Sequence, residues 1–267
     1  MTSNTKILLI GCGNMGGAML AGWLAGGFDP ARFTVVDPQL AAAPAGVTLL
    51  RDLPSQQFGT ILLGVKPQLL DAVAPALGAL AGPDTVLLSL LAGIETATLA
   101  ARFPAAKARV RVMPNLSAAI GKSPIALFAD PIGDDDRAAI SALLTPLGQP
   151  EWLAAEEQFD LVTALAGCGP AFLYRFVDAL AGSATALGLD PAQAQRLAMA
   201  TVEGAALLAA GSEHSPGELA ARVASPGGAT QRGLDVLDAN EALARLLSAT
   251  LVAARDRSAE MAAAARG

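Results

Sequence analysis

The pattern of apolar and polar positions changes character once along the chain. Up to about residue 155, short β-branched or Leu-rich runs alternate with Ala-rich stretches of helical length, the signature of successive βαβ units. This predicts strands at 5–10, 33–36, 60–65, 84–89, 108–113, 124–128 and 150–153. Helices at 14–26, 68–81, 95–102 and 134–146 are long enough to cross over a parallel sheet and cover its faces. From residue 156 the strand signals stop, and helices are predicted at 156–166, 170–187, 191–211, 216–223, 228–238 and 241–264. The expected fold is therefore α/β: a Rossmann-type doubly wound sheet in residues 1–155, followed by an all-helical domain in residues 156–267.

The breaks in the helical half carry their own chemistry. Gly188 suits a left-handed helix end, Asp190 an N-cap, and Pro191 a first-turn position whose missing N–H costs nothing. Ser215 with Glu218, and Asp238 with Glu241, have the spacing of capping boxes.

Composition adds constraints. Of 267 residues, 53% are apolar and only 16% charged, well below ordinary globular usage, so an unusual share of surface is hidden in a core or a subunit interface. The Ala- and Gly-rich helical half supplies little apolar area per residue, and a second copy of the chain is expected to complete its core. A net charge of −6 without a basic run, and 4% aromatic residues, leave no footprint for nucleic acid. The apolar stretches are broken by charges such as Asp178 and Glu203, so no membrane span is expected. Leu9-Ile10-Gly11-Cys12 superficially resembles a lipoprotein cleavage site, but the apolar run before it is too short. The two cysteines, Cys12 and Cys168, sit in no metal-ligand spacing and away from the single histidine, His214; a cytoplasmic protein without a metal centre is expected.

Gly11-Cys12-Gly13-Asn14-Met15-Gly16 follows the first strand and opens the first helix, the context a dinucleotide fingerprint requires. Gly11 permits the tight turn, Gly13 lets a pyrophosphate approach the backbone, and Gly16 lets helix and strand pack closely, with the helix N-terminus facing the anion. Asp37 ends the second strand, where a carboxylate accepts from an adenosine ribose hydroxyl and repels a 2′-phosphate, or simply closes a turn with Pro38. Val65-Lys66-Pro67 follows the next strand at the carboxyl edge of the sheet. Lys66 there either steadies a cofactor or substrate anion or is an ordinary solvated lysine.

The helical half lacks lysine altogether, since the four lysines are Lys6, Lys66, Lys107 and Lys122. A hydroxyacid dehydrogenase of this plan needs a Lys or His to move the alcohol proton, and only His214, in a polar loop, is at hand. Reduction of an iminium has no such need, because the nitrogen already carries its proton and charge. The best substrate site is Ser225-Pro226-Gly227-Gly228-Ala229-Thr230, a loop entering a helix whose free N–H groups suit a carboxylate; ordinary turn and N-cap chemistry also accounts for it.

Together with Val112-Met113-Pro114-Asn115 and Ala166-Gly167-Cys168-Gly169-Pro170-Ala171, these segments give the chain a resemblance over nearly its whole length to the pyrroline-5-carboxylate reductase family. The resemblance implies hydride transfer from NAD(P)H to the imine of Δ1-pyrroline-5-carboxylate, giving L-proline, the last step of proline biosynthesis. It implies a cofactor held by Gly11, Gly13, Asn14, Met15, Gly16, Asp37, Val65, Lys66, Pro67 and Asn115. It also implies a substrate carboxylate held by Ser225, Gly227, Gly228, Ala229 and Thr230, with Thr230 bonded to the ring nitrogen as the catalytic contact and Glu213 flanking the entrance. The helical domain is expected to form a homodimer or a ring of dimers.

Where the family commonly has Ser-Gly-Ser-Gly-Pro-Ala, this chain has Ala166 and Cys168 in place of the hydroxyls, and Leu116-Ser117 replaces the usual Thr-Pro after Asn115. Most family members use NADPH; Asp37-Pro38-Gln39 offers no Arg to a 2′-phosphate, which puts NADH slightly ahead. Other readings are a reductase of a different cyclic imine or of a β-hydroxyacid, or a nicotinamide-binding regulatory protein without turnover.

Overall fold

A computed structural model describes residues 5–129 and 131–266. The strands are β1 Ile7–Ile10, β2 Phe33–Val36, β3 Thr48–Leu50, β4 Thr60–Leu63, β5 Val86–Ser89, β6 Ala108–Met113, β7 Ser123–Phe128 and β8 Gly148–Trp152. They form one eight-stranded sheet in the order β3-β2-β1-β4-β5-β6-β7-β8. The chain thus runs from β1 outward to β2 and β3 and then returns to place β4 on the other side of β1, and this reversal creates the crevice at the carboxyl edge where dinucleotides bind. β1, β2, β4 and β5 are buried at every position, as a sheet covered on both faces demands.

The helices are α1 Asn14–Ala25, α2 Leu70–Gly78, α3 Thr96–Arg102, α4 Asp134–Leu144, α5 Phe159–Val162, α6 Gly169–Ala186, α7 Pro191–Ala210, α8 Pro216–Val223, α9 Ala229–Asp238 and α10 Ala242–Arg266. Side chains of β1 alternate between two cores. Ile7 and Leu9 join Met19, Leu20 and Trp23 of α1 and Ile140 and Leu144 of α4. Leu8 and Ile10 join Leu70 and Leu77 of α2 and Leu99 of α3. Trp23 is fully buried, and its indole N–H donates to the Leu143 carbonyl at 2.8 Å, so α1 is tied to α4 by a satisfied polar contact inside the core.

Three features depart from the sequence reading. β3 was not expected: three residues of half-exposed edge strand, Thr48–Leu50, carry too short an alternation to stand out from a loop. β7 runs antiparallel to β6, a departure from the parallel βαβ units expected of the first domain. A short connection through Leu116–Ile120 joins those strands, with no room for the crossover a parallel pair requires. Finally, the helix expected at 156–166 is a composite. A tight turn at Glu156–Gln158 precedes α5, and a wide π turn covers Thr163–Gly167.

The chain divides into two compact units, Met1–Gly167 with Ala254–Gly267, and Cys168–Ala253. The division falls after Gly167, whereas the change of pattern falls at 155, because segment 156–167 is bound to the sheet. Glu156 accepts from Arg111 Nη1 on β6 at 2.9 Å and from Thr96 N and Oγ1 at 2.8 and 2.7 Å. The Arg111 guanidinium also lies 4.1 Å from the centre of the Phe159 ring. The end of α10 joins the same unit, with Ser258 Oγ donating to Asp160 at 2.8 Å.

The second unit buries little of its own apolar surface. Its core is Val177, Ala181, Ala194 and Ala198, while Phe176, Leu187, Leu197, Leu208 and Leu246 are exposed. Exposure this extensive marks a surface built for a partner. Asp190 caps α7 by accepting from Gln193 N at 3.0 Å, and Ser215 and Glu218 form the expected capping box. The second expected box does not form: Asp238 makes no side-chain cap, because Asn240 and Glu241 adopt positive φ (52° and 57°) and join α9 to α10 across a kink. Among the described residues, no helix is long and apolar enough to cross a membrane.

Candidate active site

In the first unit the chemistry gathers at the carboxyl edge of β1, β2 and β4. Gly11 leaves β1 with φ +84°, and a Cβ there would lie 2.9 Å from the Gly64 carbonyl oxygen, so only glycine satisfies both the turn and the approach to the β4 loop. At Gly16 a Cβ would lie 2.8 Å from the Gly11 oxygen. At Gly13 it would meet nothing, and Gly13 and Asn14 are exposed, so the outer side of the turn is open. Gly13 is the N-cap of α1, with no side chain capping the helix and no acidic residue in its first turn. Free N–H groups, a helix dipole and an unobstructed backbone are the donor set a pyrophosphate requires, so these residues fit the dinucleotide.

Asp37 lies beside this turn, but its carboxylate faces the backbone. Oδ2 accepts from Cys12 N at 2.8 Å, and Oδ1 accepts from Gln39 N and Leu40 N at 2.8 and 3.1 Å. Burial opposes the charged form, but the three N–H groups and the nearby Arg51 outweigh it and hold the carboxyl below its ordinary pKa. The same neighbourhood pushes the Cys12 thiol up, first through burial and then through the Asp37 charge. Arg51, just beyond β3, donates from Nη1 to the carbonyls of Asp37 and Leu40 at 2.7 and 2.8 Å. Sequence reasoning missed Arg51 because it sought an arginine directly after β2; the pairing of Val36 with Leu50 in the unrecognised β3 is what brings Arg51 alongside.

Lys66 follows β4 and its Gly64-Val65 exit. It is exposed, precedes the short turn Pro67–Leu69, and makes no ion pair among the described residues. Asn115, at the end of β6, is buried and engaged at every polar atom type: its N–H donates to Ser123 Oγ at 2.9 Å and its Oδ1 accepts from Ser117 N at 3.0 Å and from Ser117 Oγ. Its Nδ2 donates to the Ala166 carbonyl at 2.9 Å, at the end of the π turn. Ser117, noted above only as a departure, thus completes a local turn with Asn115.

The second unit holds the other set. Gly227 has φ +71°, a left-handed position, and Gly228 N donates to the Ser225 carbonyl at 2.9 Å, closing a turn onto α9. A Cβ at Gly228 would lie 2.5 Å from Ser225 Oγ and 3.0 Å from its carbonyl oxygen. Gly228 is the N-cap of α9 and no side chain caps this helix either, so Ala229 and Thr230 begin it with their N–H groups facing out of the turn. Ser225, Ala229 and Thr230 are exposed. Glu213 is exposed, and His214 is half-buried with its backbone N–H donating to Ser212 Oγ at 3.0 Å.

Comparison with known proteins bears on both units. Residues 156–261 match the family model for pyrroline-5-carboxylate reductase dimerisation. The chain is 34% identical to a pyrroline-5-carboxylate reductase of Pseudomonas aeruginosa over 97% of its own length and 98% of that protein. It is also 34% identical to one from Pisum sativum over 94% of each. Among solved structures, a pyrroline-5-carboxylate reductase of Coxiella burnetii superposes with a TM-score of 0.89 at 30% identity, covering 96% of this chain and 98% of that one. A Plasmodium falciparum pyrroline carboxylate reductase with NADP bound shares the fold, with a TM-score of 0.80 at 21% identity over 98% and 100% of the two chains. With full-length identity above 30% and its helical region matching the family's own dimerisation model, the chain belongs to the pyrroline-5-carboxylate reductase family.

Proposed function

We propose that the protein reduces Δ1-pyrroline-5-carboxylate to L-proline with a nicotinamide dinucleotide, acting as a cytoplasmic homodimer. The observation that carries this reading is a pair of uncapped, glycine-lined helix starts in one family chain: α1 for a pyrophosphate and α9 for a carboxylate. In this reading residues 1–155 hold the dinucleotide, and residues 156–267 hold the substrate and the partner subunit.

A bound reduced dinucleotide supplies the hydride that adds to C5 of the imine. The protein's own task is orientation and charge placement. The protonated imine is electrophilic without a protein acid, in keeping with a second unit that has no lysine. The N–H groups of Ala229 and Thr230, supported by the α9 dipole, hold the substrate carboxylate, with Gly227 and Gly228 shaping the approach. Thr230 Oγ1 accepts from the ring N–H, fixing which face C5 presents, and Ser225 contributes a further hydroxyl. Glu213 flanks the entrance. On the dinucleotide side, Gly11, Gly13, Asn14, Met15 and Gly16 seat the pyrophosphate, while Val65, Lys66 and Pro67 line the β4 exit. Asn115, fully engaged inside the protein, acts as a positioning residue for the π turn.

The test is consumption of reduced dinucleotide with synthetic Δ1-pyrroline-5-carboxylate, a six-membered cyclic imine as comparison, and chromatographic identification of the product. Stoichiometric L-proline is expected; turnover confined to the larger ring would replace this substrate with another imine. Sedimentation should give a dimer or a multiple of it, and a monomer at micromolar concentration would contradict the assembly.

A further inference from the structure

The adenosine end of the dinucleotide site contains a feature that Asp37 alone does not explain. We propose that Arg51 is the residue that selects the cofactor, receiving the 2′-phosphate so that the protein binds NADPH in preference to NADH. The proposal rests on the reductase reading only in taking a nicotinamide dinucleotide as the ligand.

Position comes first. In doubly wound folds the residue that ends the second strand meets the adenosine 2′ substituent. Here that residue is Asp37, and Arg51 Nη1 lies 2.7 Å from its carbonyl oxygen. The guanidinium therefore sits at that point of the crevice.

Orientation comes second. Nη1 spends its hydrogens on the Asp37 and Leu40 carbonyls, which fixes the guanidinium plane on the turn. Among the described residues Nε and Nη2 have no protein partner, and Arg51 is exposed. Nε and Nη2 form the edge of a guanidinium that grips two phosphate oxygens at once, and here it is already immobilised, so little rotamer entropy is lost on binding.

The opposing charge of Asp37 is turned away. A free Asp37 carboxylate would repel a 2′-phosphate, but this one is turned onto the N–H groups of Cys12, Gln39 and Leu40. Its lone pairs are largely committed to the backbone, and its role is to brace the Gly11–Gly13 turn rather than to read the ribose. The preference for NADH drawn from the sequence assumed that no arginine reached this place and that the carboxylate faced outward; neither premise matches the geometry.

The experiment is calorimetric titration of the purified protein with NADPH, NADH, 2′,5′-ADP and 5′-AMP, without pyrroline carboxylate, on wild type, Arg51→Gln and Arg51→Lys. Wild type is expected to bind NADPH at least about tenfold more tightly than NADH, with 2′,5′-ADP exceeding 5′-AMP by a similar factor. Arg51→Gln should lose most of that factor for the phosphorylated ligands and leave NADH within about twofold. Arg51→Lys, which keeps charge but loses the two-pronged edge, should fall between them and guards against misfolding of the first variant. Equal losses for NADPH and NADH would make Arg51 only a clamp on the turn, and unchanged NADPH binding, or a wild type favouring NADH, would overturn the proposal. Because binding is read directly, discrimination without turnover of pyrroline carboxylate would sink the proposed substrate while leaving the role of Arg51 standing. A wild type that binds neither dinucleotide would overturn both.

Discussion

The carboxylate of Asp37 accepts the backbone N–H of Cys12 at 2.8 Å, joining the end of β2 to the glycine turn that leaves β1. A side chain that the sequence offers as a reader of the ribose is, in the fold, hydrogen-bonded to the backbone of the glycine turn, and we propose that it braces that turn. Replacing it should therefore disturb both cofactors together. Asp37→Ser is expected to weaken NADH and NADPH by similar factors, roughly tenfold, for loss of charge-assisted bonds. A change confined to the NADH:NADPH ratio in the same titrations would restore the ribose-reading role.

The same bonds give a pH dependence. The Asp37 carboxyl is held below its ordinary pKa in the folded protein, because its N–H donors and Arg51 outweigh the burial that would raise it. Its contribution is thus fully present above the unfolded pKa, about 4, and is lost as pH falls through the lower folded value. The free energy of unfolding measured between pH 7 and about pH 3 should fall below about pH 4 in wild type, with a shallower fall in Asp37→Asn; parallel curves would assign the acid loss to other groups.

Thr230→Ala should reduce kcat/KM for the imine by about tenfold, the worth of one hydrogen bond to a charged ring nitrogen, with the melting temperature and dinucleotide affinity unchanged. Thr230 is exposed at the start of α9, so folding does not depend on it. Unaltered kinetics would remove it from the site.

Gly228→Ala tests the loop by sterics alone. The added Cβ would lie 3.0 Å from the Ser225 carbonyl oxygen and closer still to Ser225 Oγ, and rotation of the Ser225 side chain relieves only the second contact. The turn must open, and KM for the substrate carboxylate should rise by about tenfold or more while NADPH affinity stays constant. An unchanged KM would mean that the turn does not shape the carboxylate site.

Glu156→Ala leaves the Arg111 guanidinium, whose side chain is 10% exposed, without its partner, and Thr96 loses both of its bonds to the carboxylate. Removing one member of a buried pair costs several kcal/mol; with Glu156 itself 21% exposed, about 2 kcal/mol is expected, read as a lower denaturant midpoint. A loss below about 0.5 kcal/mol would show that the pair behaves as a surface ion pair.

These residues also show where sequence patterning succeeded. The strands β1, β2, β4 and β5 and the helices around them were legible because each is buried on both faces or on one continuous face, so hydrophobicity follows geometry directly. The turn at Gly11 and the loop at Gly227 and Gly228 were legible because backbone strain and close approach leave glycine as the fitting residue. What escaped was pairing at a distance. The edge strand β3 is too short to show a period, and with it went the placement of Arg51 beside Asp37. Glu156 begins the helical pattern, and its bonds to Arg111 and Thr96, which that pattern does not reveal, tie it to the first unit. The break between α9 and α10 was legible at 239–240, but the positive φ of Asn240 and Glu241 was not, since Asp238 and Glu241 have the spacing of a capping box.

The reaction itself is tested by steady-state oxidation of reduced dinucleotide by purified protein with Δ1-pyrroline-5-carboxylate, the product identified as L-proline by chiral chromatography. Saturable turnover is expected, faster with NADPH than with NADH at equal concentration, with one proline formed per dinucleotide consumed. Tight dinucleotide binding without proline formation across a range of substrate concentrations would contradict the account and leave a nicotinamide-binding protein acting on another imine or on none.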